Sequence, residues 1–291
     1  MQQIIIEVGS TNTKIDSYDG KKVERLNNIP ILFKEHYQKT NMIDEKDFAI
    51  LTNEVNKLKN DYDNIFVCGT SIFRELNPDK KENFINSFYD KTKLDFHIIS
   101  QEEENELTVL GATRNIKQKA CIFIGGGGST EIAVYDKGII ETANTDIGVV
   151  DVLNKYPDLK DDIAQTPINE VITYLKPILK LPKNKSDILI LAGGSHEMFA
   201  RVAGFKFVDN TLYDDINAPI MMDIDVRTSE SKRFFEEISL DNIRSNVDNP
   251  DWWNYSRPML PFILLLAEHI NAKYIIPTDI SMVYGIIQKY L

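Results

Sequence analysis

Two stretches of the chain echo each other and decide the fold. Residues 4–20 read IIIEVGSTNTKIDSYDG, and residues 121–138 read CIFIGGGGSTEIAVYDKG. Each stretch is an apolar run, a Gly/Ser/Thr loop, a second β-branched run and an Asp-Gly or Asp-Lys-Gly turn, which is typical of β-hairpins. At an offset of 117 positions, identical residues include Gly9 and Gly126, Thr13 and Thr130, Ile15 and Ile132, Tyr18 and Tyr135, and Asp19 and Asp136. The echo predicts a duplicated domain core, with chance similarity of two hairpins as the alternative.

Helical and strand patterns alternate along the rest of the chain. Apolar residues at helical spacing predict helices, and short β-branched runs predict strands. The predicted helices cover 44–61, 79–89, 100–117, 148–156, 167–179, 196–203, 258–270 and 279–291, and the predicted strands cover 64–68, 95–99, 187–191 and 274–276. This alternation predicts an α/β fold with mixed sheets. At 291 residues we expect two domains, 1–117 and 118–291, with the closing helix at about 279–291 packing on the first.

Composition narrows the class of protein. Apolar residues make up 43% and charged residues 26% of the chain, ordinary values for a globular protein. The net charge of -11 argues against broad binding to nucleic acid or anionic membranes, so an anionic substrate would need local basic groups and a divalent cation. Cys68 and Cys121 lie in apolar runs, which predicts buried, reduced thiols. With no signal peptide and no apolar run long enough to span a bilayer, we expect a cytoplasmic protein.

The glycine run at 125–130 is the sharpest local signal. Glycine lets the backbone approach a ligand closely, so that successive N–H groups can converge on an anion. A strand pattern follows the run, whereas dinucleotide-binding and P-loop motifs require a helix there. A phosphate-binding hairpin remains, with a ligand-free glycine bulge as the alternative. Gly193-Gly194-Ser195 joins a predicted strand to a helix and is either a further anion contact or a plain turn.

Several charged residues are candidates for chemistry. Ser100 and Glu103 form a capping box, and Glu104 lies at the loop-facing end of the packed stripe of its helix, where a carboxylate can be partly desolvated. The alternative, that all the glutamates at the start of this helix are solvated, remains open. Glu131 follows the glycine run and is placed to contact metal or water. Arg74 follows a strand, where it would bind phosphate bidentately or form a surface ion pair.

These motifs together resemble the exopolyphosphatase / guanosine pentaphosphate phosphatase (Ppx/GppA) family of the actin-like ATPase superfamily. Gly9-Ser10-Thr11-Asn12 is similar to its first phosphate loop, and the segment from Thr70 to Arg74 is similar to its T-x-A-x-R motif. Residues 99–107 with Gly111 resemble its I-S-G-x-E-E-A-x-L…G helix, and residues 126–131 match its G-G-G-S-T-E loop. Gly148 and Gly193-Gly194-Ser195 fall where the family has further glycine contacts, and Arg257 with Gly285 is similar to its C-terminal pattern. The resemblance covers essentially the whole chain, in the family's short two-domain form.

The resemblance implies two actin-like (ribonuclease H-like) domains with a cleft between them. It implies hydrolysis of a terminal phosphoanhydride of inorganic polyphosphate or guanosine pentaphosphate with Mg²⁺ or Mn²⁺, and homodimers, which are common in the family. Glu104 would be the general base, and Glu131 would position water or metal, with Glu7 as a further metal ligand. The implied phosphate-binding residues are Gly9, Ser10, Thr11, Asn12, Arg74, Gly126, Gly127, Gly128, Ser129, Thr130, Gly193, Gly194 and Ser195.

Three departures from the family pattern bear on activity. Glu7 and Ile124 stand where the family has aspartates, and Gln101 stands where it has glycine. An apolar side chain at 124 cannot bind a metal or its waters. The missing acid at 124 leaves open a catalytically weak sensor of polyphosphate or nucleotide. The similarity of residues 9–14 to loops of ATP-using kinases and ATPases of the same fold leaves that class open as well.

Overall fold

A computed structural model describes residues 2–10, 12–70, 72–212, 219–247 and 250–291, without the side chain of Gln38. It divides into two compact units, residues 1–106 and 107–291. The predicted boundary at 117 lies after the observed boundary at 106, because the helix that begins at Gln101 runs from one unit into the other. Within the described part of the chain, no helix is both long and apolar enough to cross a membrane.

Unit 1 is built on a five-stranded sheet in the order β3-β2-β1-β4-β5. Strands β1, β2 and β3 are antiparallel neighbours, whereas β4 runs parallel to β1 and β5 runs parallel to β4. The sheet is therefore mixed, as predicted. Its elements are β1 (Gln3–Val8), β2 (Asn12–Tyr18), β3 (Val23–Pro30), α1 (Phe33–Thr40), α2 (Glu45–Leu58), β4 (Asn64–Gly69), α3 (Ile72–Glu75), α4 (Pro78–Thr92), β5 (His97–Ile98) and α5 (Gln101–Ala112), of which α5 enters unit 2.

Unit 2 has a six-stranded sheet in the order β10-β11-β9-β6-β7-β8. Here β9 runs parallel to both β6 and β11, and β6, β7 and β8 are antiparallel neighbours. Its strands are β6 (Ala120–Gly125), β7 (Thr130–Tyr135), β8 (Ile139–Thr145), β9 (Ile188–Ala192), β10 (Met222–Asp223) and β11 (Tyr274–Pro277). Its helices are α6 (Val149–Lys155), α7 (Ile168–Leu175), α8 (His196–Val202), α9 (Ile224–Glu236), α10 (Leu240–Arg244), α11 (Ser256–Ile270) and α12 (Met282–Tyr290), with 3₁₀ turns at Pro157–Lys160 and Pro250–Tyr255.

The predicted hairpin duplication is confirmed at the level of the backbone. In β1–β2, Gln3 is opposite Tyr18 and Val8 is opposite Thr13. In β6–β7, Ala120 is opposite Tyr135 and Gly125 is opposite Thr130, which is the same register at the offset of 117. The turns close alike: Gly9 N–H donates to the Asn12 carbonyl at 2.9 Å, and Gly126 N–H donates to the Ser129 carbonyl at 2.9 Å.

Burial explains why these segments fold as they do. In unit 1, Phe73, Phe84, Phe88 and Phe96 pack their rings on one another at 4.9–6.4 Å beneath the sheet. In unit 2, strands β6 and β9 are apolar and almost wholly buried, since they lie in the middle of the sheet. Both cysteines are buried and free, as predicted, and burial raises the pKa of the Cys121 thiol to about 12.

Close helix packing places the end of the chain. A Cβ added at Gly285 of α12 would lie 2.0 Å from the Leu107 carbonyl oxygen of α5, and one at Gly111 would lie 2.8 Å from Tyr284 Cβ. Only glycine allows such an approach of two helix backbones. The closing helix therefore packs on the segment at 107–111, which our prediction assigned to the first domain and the structure assigns to unit 2.

Candidate functional site: two glycine hairpins and their charged neighbours

The loop between β6 and β7 is pinned by its carbonyl groups. Val149 N–H donates to the Gly126 carbonyl at 3.1 Å, and Val150 N–H donates to the Gly127 carbonyl at 2.9 Å. In a trans peptide the N–H points opposite to the C=O, so the N–H groups of Gly127 and Gly128 point away from α6. Within the described residues these two N–H groups have no acceptor. The loop therefore offers two main-chain donors to an anion.

A third glycine supports this loop from beneath. Gly148 precedes α6, and a Cβ added there would lie 2.4 Å from the carbonyl oxygens of both Gly126 and Gly127. Its own N–H donates to an Asp151 carboxylate oxygen at 2.9 Å. Thr130, a predicted phosphate contact, instead donates its hydroxyl to the Ile147 carbonyl at 2.8 Å and is buried. The Thr130 side chain therefore anchors the loop, and Ser129 is the half-buried hydroxyl left beside the glycines.

The loop at 193–195 is largely occupied by protein groups. Gly193 N–H donates to the Ile280 carbonyl at 2.9 Å. At the start of α8, Glu197 and Met198 donate their N–H groups to one carboxylate oxygen of Asp279, at 2.9 and 3.3 Å. The expected anion contact at this helix start is therefore met by a protein carboxylate. Asp279 lies 82 positions from Glu197 in sequence, so no local pattern signals it.

The first hairpin carries the same loop with different side chains. The Ser10 carbonyl accepts the Lys34 N–H at 3.0 Å, while Thr11 lies outside the described residues. Glu7 is 8% exposed; its Oε1 accepts the Lys14 ammonium at 3.1 Å, and its Oε2 has no partner. The sequence predictions did not include Lys14. Its only signal is its place directly opposite Glu7 in the hairpin register.

Among the residues that the structure describes, neither hairpin carries a cluster of three metal ligands. Among the described residues, the group of three ligand atoms close enough for one ion is His36, Asp44 and Asp47. There Asp44 caps α2 and Asp47 pairs with the His36 ring at 2.7 Å, so both carboxylates already have structural partners. Glu7 offers one unpartnered buried oxygen, which fits Mg²⁺ held by a single carboxylate together with water and phosphate oxygens. Ile124 offers no donor atom, and its methyl group fills the space beside Gly193.

Arg74 and Glu104, predicted for separate roles, are brought together and bind each other. Arg74 Nη1 lies 2.5 Å from Glu104 Oε2 and 3.3 Å from the Ile99 carbonyl. Arg74 Nη2 donates to Gln101 Oε1 at 2.8 Å. Ser100 caps α5 by accepting the Glu103 N–H at 3.0 Å, which is one half of the predicted capping box. Gln101 thus helps to hold Arg74 on the carboxylate.

Glu131 and Arg257 are charged residues that lie buried in unit 2. Glu131 is 8% exposed and lies opposite Ile124 in the β6–β7 register. Arg257 is fully buried and donates to the carbonyls of Asp161 and Asp162 at 2.6 and 2.7 Å. Burial lowers the pKa of Arg257 to about 10, so it remains a cation at neutral pH and ties α11 to the 3₁₀ turn that precedes these carbonyls.

Comparison with known proteins now places the chain. The model of the Ppx/GppA phosphatase family matches residues 33–241. Among solved structures, the Ppx/GppA phosphatase of Aquifex aeolicus (type II variant) is similar at 14% identity, with a TM-score of 0.77 and coverage of 100% of both chains. An exopolyphosphatase from Cytophaga hutchinsonii is similar at 14% identity with a TM-score of 0.67, covering 99% of this chain and 97% of that one. None of the curated proteins matches.

The structural similarity shows the fold, and the family match shows the lineage. The two mixed sheets flanked by helices are the actin-like fold that the resemblance implied. The family match spans well over half of the chain, including the Arg74–Glu104 pair and the glycine loop. The chain therefore belongs to the Ppx/GppA phosphatase family.

Proposed function

We propose that the protein is a phosphohydrolase that releases the terminal phosphate of inorganic polyphosphate or guanosine pentaphosphate. The observation that carries the proposal is the pair of acceptor-free N–H groups of Gly127 and Gly128, aimed away from α6 in a chain of this family. Phosphoryl transfer needs mainly positioning and charge neutralisation, which such a loop provides. We assign phosphate binding to both hairpin loops, at residues 9–13 and 125–130.

The Arg74–Glu104 pair suggests how the site would be activated. A phosphate group, with more charge than a carboxylate, competes for the planar guanidinium. When Arg74 turns to the phosphate, the Glu104 carboxylate is released and can take a proton from the attacking water. The oxygen of that water bonds to the terminal phosphorus while the anhydride P–O bond breaks, and the shortened substrate leaves with its electron pair. Mg²⁺ held through Glu7 would neutralise phosphate charge, and Glu131 would orient the water.

A phosphate-release assay tests the proposal directly. Purified protein with Mg²⁺ or Mn²⁺ is given polyphosphate, guanosine pentaphosphate or ATP. Replacing the proposed base in Glu104→Gln should lower the rate about 10²- to 10⁴-fold. Glu102→Gln, an exposed carboxylate in the same helical turn, is the matched control and should leave the rate unchanged. Absence of release from every substrate would reject the proposal, and faster turnover of ATP than of the other two would favour an ATP-using enzyme.

A second candidate function is a sensor that binds phosphates and turns them over slowly. Two observations favour it: the candidate base is already neutralised by Arg74, and Ile124 supplies no oxygen for a metal. Tight binding of polyphosphate, seen as a rise in melting temperature without phosphate release, would select the sensor.

A further inference from the structure

Arg74 is held in unit 1 by more than its ion pair with Glu104. Its guanidinium also donates to Gln101 Oε1 through Nη2 at 2.8 Å, and to the Ile99 carbonyl through Nη1 at 3.3 Å. Both terminal nitrogens of the guanidinium therefore already have acceptors, and Glu104 supplies only one of them. A turn of the Arg74 side chain toward a phosphate breaks the bond to Gln101 as well as the ion pair.

The backbone that carries Arg74 is fixed, so its side chain is the part that can move. Arg74 belongs to α3, whose residues Ile72 and Phe73 are fully buried in the core of unit 1. On the acceptor side, Ile99 N–H donates to the Gly69 carbonyl at 3.0 Å, which ties the segment before α5 to the end of β4. The held and the released arrangements therefore differ in the side-chain rotamer of Arg74.

The Gln101 side chain is itself oriented by the next turn of α5. Its Nε2 donates to Asn105 Oδ1 at 3.2 Å, and residues four apart lie on the same face of a helix. A guanidinium carries only donors, so the Gln101 amide must present its oxygen to Arg74 and its nitrogen to Asn105. Asn105 therefore fixes the orientation in which Gln101 can accept from Arg74.

The hydrogen bond between Gln101 and Arg74 has a consequence for any anion that needs the same guanidinium. A bond from a cation to an amide oxygen is stronger than a bond between two neutral groups. A contact that exists only in the ligand-free protein lowers the fraction of molecules in which Arg74 is ready to bind, and the apparent affinity falls in proportion. Gln101 can therefore weaken phosphate binding without touching the phosphate.

We propose that Gln101 is a positioning residue that sets the affinity of this site for phosphate by holding Arg74 on Glu104. It acts on the ligand-free protein. In the complex with phosphate Arg74 has left Gln101, so the chemical step proceeds alike whether or not residue 101 can accept a hydrogen bond. The effect on phosphate rests on the proposed function, whereas the holding of Arg74 rests only on the contacts described above.

Two substitutions of Gln101 should move the kinetics in opposite directions. Gln101→Met keeps the length of the side chain and removes the acceptor, so KM for polyphosphate should fall about three- to tenfold. Gln101→Glu offers Arg74 a second carboxylate, so KM should rise by about the same factor. Both variants should keep the wild-type kcat, because the contact is absent from the complex. Shifts of KM in the same direction, or a loss of kcat in both variants, would overturn the inference and indicate a merely structural role.

Glu102→Gln is the control for the charge of this helical turn. Glu102 is exposed and adjacent in sequence to Gln101, and neighbouring residues of a helix do not lie on the same face. Its substitution changes the net charge of the turn by one, as Gln101→Glu does, and should change KM less than about twofold. Asn105→Leu removes the group that orients Gln101, and it should lower KM as Gln101→Met does but by less. A shift in Glu102→Gln as large as that in Gln101→Glu would contradict a specific contact.

The freedom of the Arg74 side chain can also be measured without substrate. Phenylglyoxal reacts with guanidinium groups, and the modified arginines are identified by mass spectrometry of the peptides. Arg74 should react about threefold faster in Gln101→Met and about threefold more slowly in Gln101→Glu than in the wild type. Arg25, which pairs with Asp16 elsewhere in unit 1, is the internal reference and should react at the same rate in all three proteins. Equal reaction of Arg74 in the three proteins would overturn the inference.

The two proposals fail in distinguishable ways. Release of phosphate with the same KM in the wild type and in both Gln101 variants would keep the hydrolase and reject the role of Gln101. If no substrate releases phosphate, the hydrolase is rejected, and calorimetry with imidodiphosphate, whose P–N–P bridge resists hydrolysis, replaces KM. Tighter binding of imidodiphosphate to Gln101→Met than to Gln101→Glu would then support the role of Gln101 in a binding protein, and equal binding would reject it.

Discussion

The two glycine hairpins share a backbone and differ in chemistry. Their strand registers agree at the offset of 117, and both turns close with a 2.9 Å hydrogen bond from the first glycine. The carbonyls of Ser10 and Gly127, which are equivalent positions, both accept an N–H from the chain that follows the third strand, at 3.0 and 2.9 Å. The loop geometry is therefore a property of main-chain hydrogen bonds, which tolerate changes in the side chains around them.

The charged side chains beside the two loops lie on different strands of each hairpin. Glu7 of the first hairpin is equivalent to Ile124, and Lys14 is equivalent to Glu131. The cross-strand pair Glu7–Lys14 thus becomes Ile124–Glu131, so this pair keeps a buried carboxylate in each hairpin, but on opposite strands. The main-chain loop is therefore retained in both hairpins while the charged side chains beside it differ. Three substitutions test how far the equivalence of the two hairpins extends.

The largest effect should come from breaking the support of the second loop alone. Gly148→Ala would place a Cβ 2.4 Å from two backbone oxygens, which cannot swing aside as a side chain could. We expect the free energy of unfolding to fall by about 3 kcal/mol and phosphate release to be largely lost. Gly138→Ala, in the turn at the other end of β7, has open space around its Cβ and is the control in urea unfolding. A wild-type midpoint for Gly148→Ala would show that the loop can shift without cost.

An intermediate effect should come from making the hairpins alike in charge. Ile124→Asp places a carboxylate opposite Glu131, so without metal the like charges should lower stability by about 1 kcal/mol. If the second acid is what the site lacks, Mg²⁺ should raise the melting temperature of this variant more than that of the wild type and should raise its rate of phosphate release. Ile124→Asn has the same shape without the charge and should show no response to Mg²⁺. Equal responses of both variants would mean that Ile124 does not limit metal binding.

The smallest effect should come from Asp16, a buried carboxylate of the first hairpin. The equivalent residue of the second hairpin is Ala133, which is also buried. Burial raises the pKa of Asp16 above 3.8, even though Arg25 binds it at 2.5 Å. The folded state therefore holds this proton more tightly than the unfolded state, and the stabilisation present below pH 3.8 is lost as pH rises through the raised pKa. In urea unfolding, the midpoint of the wild type should therefore fall as pH rises through this range, and Asp16→Asn should show a smaller fall.

An opposite-sign control lies in the turn of the same hairpin. The N–H groups of Lys22 and Lys21 lower the pKa of Asp19, so its stabilisation is present above pH 3.8 and is lost as pH falls through the lowered pKa. Asp19→Asn should therefore change the pH dependence of unfolding in the other direction. Parallel pH profiles for the two variants would contradict the assignment for Asp16.

The sequence was sufficient where the signal is local. The hairpins, the glycine loops and most helices follow from periodicity and turn residues, and the predicted strands at 64–68, 187–191 and 274–276 agree with β4, β9 and β11 to within a residue or so at each end. Helices α1, α3, α9 and α10 were not predicted. The sequence of α9, IDVRTSESKRFFE, is mostly polar, and its buried side includes Arg227 and Ser231, which no apolar pattern reveals.

By itself the sequence determined the duplicated hairpin core, the glycine loop and the family, because register, turns and glycine conformations depend on neighbouring residues. Only the tertiary structure decided which donors are free. Asp279 and Ile280 occupy the loop at 193–198, Arg74 neutralises Glu104, and Arg227 and His196 face a cavity made by four helices and a turn. The physical reason is that hydrogen bonds, ion pairs and burial join residues tens of positions apart, and a sequence pattern records no such distances.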